Sequence, residues 1–106
     1  MATYILFGTN APLGEAREAV EKLLSLKFEG RVSDYQSGEY FLAGDKAGEY
    51  FELKRNLDPF DGDPAEMNFP EFPTLLYINA TSRSKTLKEI VGGEQGEFSL
   101  LRHEDF

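Results

Sequence analysis

Thr74-Leu75-Leu76-Tyr77-Ile78-Asn79 is the stretch of the sequence that says most about the fold. Its almost continuous apolar run is typical of a central β-strand that is covered on both faces. We therefore expect one sheet built around residues 74–79, with further strands before and after it in the chain.

A first strand and an amphipathic helix open the chain. Residues 1–7 are mostly apolar, form a run far too short to span a membrane and lack a basic leader, so they predict a strand and no targeting segment. The residues that follow, up to about Leu26, have the period of a helix. Its apolar face carries Leu13, Ala16, Val20, Leu23 and Leu24.

Between this helix and the central strand the apolar period is two, which predicts hairpins. Turn signals at 36–39 and 44–49 separate three short strands, near residues 28–35, 39–43 and 49–56. In the third strand apolar side chains alternate with polar ones. The sheet is therefore expected to have one solvated face.

After the central strand come a shorter helix, a last strand at 97–102 and a polar tail at 103–106. The order β-α-β-β-β-β-α-β predicts a single α+β domain over residues 1–106. We expect a sandwich in which a mixed or antiparallel sheet carries two helices on one face, with a ferredoxin-like relative as the topology. The inner face of the shorter helix carries Leu87, Ile90 and Val91.

Composition and charge exclude several classes of function. The chain has no Cys, which rules out disulfides, thiolate nucleophiles and iron–sulfur ligation and makes the cytoplasm the expected compartment. Its formal charge is −8, with only 11 scattered Lys and Arg residues. Since phosphate binding depends on clustered basic residues, we predict neither nucleic acid nor membrane as a partner.

The connection before the central strand is the most unusual segment, and we call residues 56–73 the acidic loop. It has no Lys or Arg and is long for a structureless connection in a small domain, a property more typical of functional loops. Its carboxylates are Asp58, Asp61, Asp63, Glu66 and Glu71.

A metal or catalytic role for this loop is disfavoured. An EF-hand needs a bidentate Glu at position 12, but that position is Phe69 when counted from Asp58 and Phe72 when counted from Asp61. Acid–base catalysis needs carboxylates opposed across a cleft, with one of them desolvated, which an exposed loop does not provide. We predict no metal, no cofactor and a non-enzymatic protein.

Two interpretations of the acidic loop remain. In the first, apolar residues such as Phe60 and Met67 anchor a protein interface while the carboxylates steer a cationic partner towards it. In the second, Phe69 and Phe72 pack into the core and the carboxylates stay solvated on an ordinary connection.

The predicted hairpins offer a second candidate surface. Tyr35, Tyr40 and Tyr50 stand next to acidic residues, a mixture suited to gripping Arg and Lys through ring faces and carboxylates. Ordinary cross-strand pairing on the solvated face is the other interpretation. The single His, His103, falls in the predicted tail, so a Ser–His triad is not expected.

A small, Cys-free, acidic α+β domain with Tyr–acid hairpins and a carboxylate-rich loop resembles the immunity proteins of bacterial contact-dependent growth inhibition and related polymorphic toxin systems. The resemblance implies a monomer that binds a basic partner, a toxin C-terminal domain such as a nuclease, by charge mimicry of nucleic acid. Binding residues are then expected among Asp58, Phe60, Asp61, Asp63, Glu66, Glu71, Tyr40 and Tyr50.

Two other functions stay open. The β-α-β-β-β opening resembles a module of the vicinal-oxygen-chelate fold, the glyoxalase-like group, which implies a small-molecule enzyme or binder; that family takes its metal ligands from His and Glu on strands, whereas this chain has only His103. A structural domain that self-associates through an apolar sheet face is the third hypothesis.

Overall fold

A computed structural model describes residues 2–33, 38–45, 47–58, 60–93 and 97–105. In this part of the chain six strands and two helices follow the predicted order. They are β1 (Thr3–Thr9), α1 (Leu13–Leu24), β2 (Glu29–Ser33), β3 (Gly38–Gly44), β4 (Tyr50–Arg55), β5 (Thr74–Thr81), α2 (Ser84–Val91) and β6 (Phe98–Asp105).

The strands form one sheet in the order β2-β3-β4-β5-β1-β6, and every neighbouring pair is antiparallel. β2 to β5 form a meander. β5 and β6, which α2 connects, lie on either side of β1, as in the split β-α-β arrangement of ferredoxin-like folds. The predicted α+β class is confirmed, and the sheet is antiparallel throughout.

Both helices pack on the same face of the sheet. α1 contributes Leu13, Ala16 and Val20 to the core and α2 contributes Leu87 and Val91, all 5% exposed or less. The strands supply alternate residues to this helix-side core, as the pleat of a strand requires. These are Ile5, Phe7, Phe41, Ala43, Phe51, Leu53, Leu76, Ile78 and Phe98.

α1 ends earlier than its sequence pattern predicts, and both helices bury fewer residues than predicted. α1 stops at Leu24, because Ser25 adopts a left-handed conformation with φ of 52° and donates its N–H to Glu21 O. Leu23 in α1 and Ile90 in α2, both predicted to face inward, are 44% and 38% exposed.

Residues 103–105 form no polar tail. His103, Glu104 and Asp105 lie in β6 and are opposite Ile5, Tyr4 and Thr3 of β1. The cross-strand ladder, together with a hydrogen bond of 2.6 Å from the Thr3 hydroxyl to Asp105, orders a segment whose polar composition had suggested solvation.

Candidate functional site

The sheet face opposite the helices, called here the open face, is partly closed by the acidic loop. Leu6 and Leu75 alternate with residues of the helix-side core, so they point to the open face, yet they are 1% and 0% exposed. The loop packs on this side: a Cβ at Gly8 would lie 2.6 Å from Phe72 Cγ. β5 is therefore covered on both faces, as its sequence predicts, and the second cover is a loop.

Asn56 organises the loop from its first position. Its side-chain amide donates to Phe69 O at 2.9 Å and Phe72 O at 2.8 Å, and its Oδ1 accepts from Glu66 N at 2.8 Å. Asn56 is only 9% exposed. A single buried amide thus bridges residues 10, 13 and 16 positions further along the chain.

Glu66 ties the middle of the loop to the open face. Its carboxylate accepts from Tyr77 Oη at 2.7 Å and from both terminal nitrogens of Arg102 at 3.2 Å, and its side chain is 17% exposed. Burial opposes ionisation, but the hydrogen bonds from Tyr77 and Arg102 outweigh it, so the pKa of Glu66 lies below its usual range. Burial and the bond to Glu66 raise the pKa of Tyr77. Because Glu66 already has an internal cation, it is a structural residue and contributes little to steering.

The loop tip, which comprises Asp58 and residues 60–63 of the described chain, is a preformed turn. Asp58 N donates to Asp63 O at 2.6 Å, and Gly62, at a positive φ of 78°, donates to Asp58 O at 3.2 Å. Two carboxylates accept backbone N–H groups within the turn, Asp58 from Phe60 at 2.8 Å and Asp61 from Asp63 at 3.0 Å. The tip therefore holds its shape by its own hydrogen bonds.

Apolar and acidic side chains alternate at the surface of this tip. Phe60 is 78% exposed, and Asp61 and Asp63 beside it are also exposed. Within the described residues, no ion pair is found for Asp58, Asp61, Asp63 or Glu71. The tip thus brings together four of the predicted binding residues, Asp58, Phe60, Asp61 and Asp63.

The other predicted residues lie in different places. Tyr40 and Tyr50 are half-buried and alternate with Phe41 and Phe51 of the core, so both lie on the open face, the same face as the loop. Tyr40 is opposite Arg31 of β2, and Tyr50 is opposite Asn79 of β5. Tyr35 lies outside the described residues.

The acid beside Tyr50 is not available to a partner. Glu49 accepts from the Thr81 hydroxyl at 2.6 Å and from Arg83 Nη2 at 2.7 Å. The hydrogen bond from Arg83, above all, lowers the pKa of Glu49 in spite of its burial. Of the Tyr and acid that the sequence predicts to bind Arg or Lys together at this position, only the ring of Tyr50 therefore remains for a partner.

Sequence reasoning missed several residues of this surface. Leu57 is 42% exposed and adds apolar area to that of Met67, which the sequence had indicated as an anchor and which is 67% exposed. The roles of Asn56 and Arg102 had no local signal, because their partners lie 10 to 36 residues away in the chain.

The described residues form a cavity but no cluster of metal ligands. In the described ranges, no three His, Asp or Glu side chains are grouped so that they could hold a metal ion. A cavity of about 300 Å³ on the open face is lined by Tyr4, Leu6, Tyr77, Arg102 and Glu104 among others. Its charged groups already bind one another, with Arg102 Nε 3.0 Å from Glu104 Oε1.

Comparison with known proteins adds no assignment. No protein-family model matches this chain, and no curated protein matches it. None of the described helices is both long and apolar enough to cross a membrane. The function is therefore inferred from the chemistry of the surface.

Proposed function

We propose that this protein is a non-enzymatic binding protein that neutralises a basic protein partner in the cytoplasm, with a nuclease toxin domain as the partner class and an immunity protein as its role. The observation that carries the proposal is the loop tip, where exposed Phe60 lies between carboxylates that have no ion pair among the described residues, on a turn that is already formed. An ordered tip loses little conformational entropy on binding, which favours affinity.

Each part of the tip has a separate task in this proposal. Asp58, Asp61 and Asp63 attract a cationic surface and raise the association rate, since exposed charges act over about a Debye length. Phe60 is the anchor, because a large apolar side chain at the centre of an interface contributes more than its rim. Glu71 adds charge at the far end of the loop.

The open face extends the same surface. Tyr40 and Tyr50 lie on the side of the sheet that the loop covers, so a partner on the tip reaches aromatic side chains without crossing to the helices. Tyr rings bind Arg and Lys through their faces. In this proposal the loop and the Tyr residues, two alternatives in the sequence, act together on one partner.

The test is capture of the partner from a native lysate, followed by kinetics with the purified partner. The double variant Asp61→Lys/Asp63→Lys is compared with Glu18→Lys/Glu89→Lys, which makes the same charge change at exposed helix positions. We expect a basic protein whose nuclease activity is inhibited by the wild-type chain. Association should slow by at least about tenfold at low ionic strength in the tip variant and much less in the helix variant.

Two results would count against the proposal. One is equal association rates for the tip and helix variants, which would remove the tip from the interface. The other is a captured partner that is not basic or whose activity the wild-type chain leaves unchanged. Glu66 is left intact in this design, because its loss would disturb the loop and mimic a binding defect.

A further inference from the structure

β2 is an edge strand of the sheet. In the described part of the chain it pairs with β3 alone, and four of its five residues are exposed. Val32 is 80% exposed, the largest value among the exposed large hydrophobic residues. An edge strand of this kind presents unpaired backbone N–H and C=O groups to another strand.

The opposite edge differs in ways that block such pairing. The β1–β6 ladder contains a register shift between Leu6 and Phe7, which leaves Leu101 of β6 without a partner residue. β6 also carries a run of charged or polar residues from Arg102 to Asp105. Bulges and charges are the usual protection of an edge strand, and the register between β2 and β3 has no shift.

We propose that β2 pairs with β2 of a second copy of this chain, antiparallel about a two-fold axis at Gly30, to form a continuous sheet across a homodimer. In an antiparallel ladder, alternate residues direct their backbone groups to the same side. The two-fold axis of a symmetric pair must therefore pass through a residue. If it passed between two residues, a residue whose N–H and C=O point to the second copy would be opposite a residue whose groups point away from it.

The charges of β2 select Gly30 as that centre. Centring on Glu29 or on Arg31 would place like charges directly opposite each other, which destabilises a strand pair. An axis at Val32 would not place Glu29 of one copy opposite Arg31 of the other. Within each copy Arg31 Nη2 already lies 3.2 Å from Glu29 Oε1. With Gly30 at the axis, each Glu29 is also opposite Arg31 of the second copy, so the two internal ion pairs would join into one network of four alternating charges.

The apolar side of the strand is consistent with the same register. Val32 would lie opposite Phe28 of the second copy, and Phe28 already packs on Phe41 with ring centroids 6.3 Å apart. Gly30 adds no side chain at the axis, and the Phe41 ring lies 3.3 Å from where its Cβ would be. The exposed valine would thus be covered by an aromatic cluster that exists in each copy.

The dimer is expected to be weak, since a short strand pair buries less than the roughly 1,600 Å² of a standard interface. The net charge of −8 on each copy also opposes association. The β2 edge and the loop that packs over β5 and β1 are at different parts of the sheet. A dimer would therefore carry two loop tips, and it does not depend on the proposed function.

The test is sedimentation equilibrium of the full chain, with charge variants at two exposed positions. The variants Arg31→Glu and Glu29→Arg each place like charges opposite each other, so each alone should dimerise about tenfold or more weakly than wild type. When mixed in equal amounts they should restore dimers, because Glu at 29 and 31 of one chain then faces Arg at 31 and 29 of the other.

Three results would overturn the proposal. The first is a wild-type chain that remains monomeric at concentrations up to about 1 mM, because even a weak specific dimer is populated at such a concentration. The second is a dimer that neither single variant weakens. The third is a mixture that dimerises no better than its components, which would exclude this register. Circular dichroism spectra equal to wild type confirm that the variants are folded.

Discussion

Replacing Asn56 by Ala should destabilise the protein more than its position at the start of a loop would suggest. The change removes three hydrogen bonds of 2.8 to 2.9 Å, to Phe69 O, Phe72 O and Glu66 N. Each is worth about 1 kcal/mol net, so we expect the free energy of unfolding to fall by about 3 kcal/mol. That is a large fraction of the roughly 5–15 kcal/mol that stabilises a domain.

Urea denaturation followed by circular dichroism and Tyr fluorescence measures this loss, since the chain has no Trp. Hydrogen exchange at the Glu66 amide reports local opening of the loop, because this N–H binds Asn56 directly. Asn56→Asp is a useful companion variant. It keeps an acceptor for Glu66 N but cannot donate to the two carbonyls, so it should be at least as unstable as the Ala variant at neutral pH.

Asn68, an exposed residue of the same loop, provides the matched control. Asn68→Ala should change stability by less than about 0.5 kcal/mol. If the stability of Asn56→Ala stays within the same small margin of wild type, and exchange at the Glu66 amide is unchanged, then Asn56 does not organise the loop.

Two further variants test how the loop is held. Tyr77→Phe removes a hydrogen bond to a charged carboxylate and should cost about 1.5 kcal/mol at pH 7. Because the pKa of Glu66 is lowered from 4.5, its contribution is present above about pH 4.5 and is lost as the pH falls through the folded value. The deficit should therefore shrink as the solution is acidified below pH 4.5, and a constant deficit in the pH series would contradict this. Gly8→Ala should cost about 2 kcal/mol, since the new Cβ would lie 2.6 Å from Phe72 Cγ. A double-mutant cycle with Phe72→Ala that shows additive losses would argue against this clash.

Much of the sheet could be predicted because its pattern is local. The period of two in 49–56 predicts one apolar and one polar face, and the structure places Phe51 and Leu53 in the helix-side core while Tyr50 lies on the open face. The apolar run at 74–79 predicts a central strand, and β5 lies between β4 and β1.

The state of each carboxylate in the acidic loop could not be predicted in the same way. Glu66 and Asp61 look alike in the sequence, as acidic residues in a segment without Lys or Arg. Glu66 is nevertheless bound by Arg102, which lies 36 residues away, while Asp61 is exposed. Whether an acid is free to attract a partner depends on the cations that the fold brings near it.

By itself, the sequence determined the order of strands and helices, the hairpins and the concentration of negative charge in residues 56–73, because periodicity and turn chemistry act between neighbours in the chain. Only the tertiary structure decided that this loop covers part of the second face of the sheet, that Glu66 holds the loop to that face and that Phe60 remains exposed to solvent. Those outcomes depend on contacts between distant residues, such as Asn56 with Phe72 and Glu66 with Arg102, which no local pattern encodes.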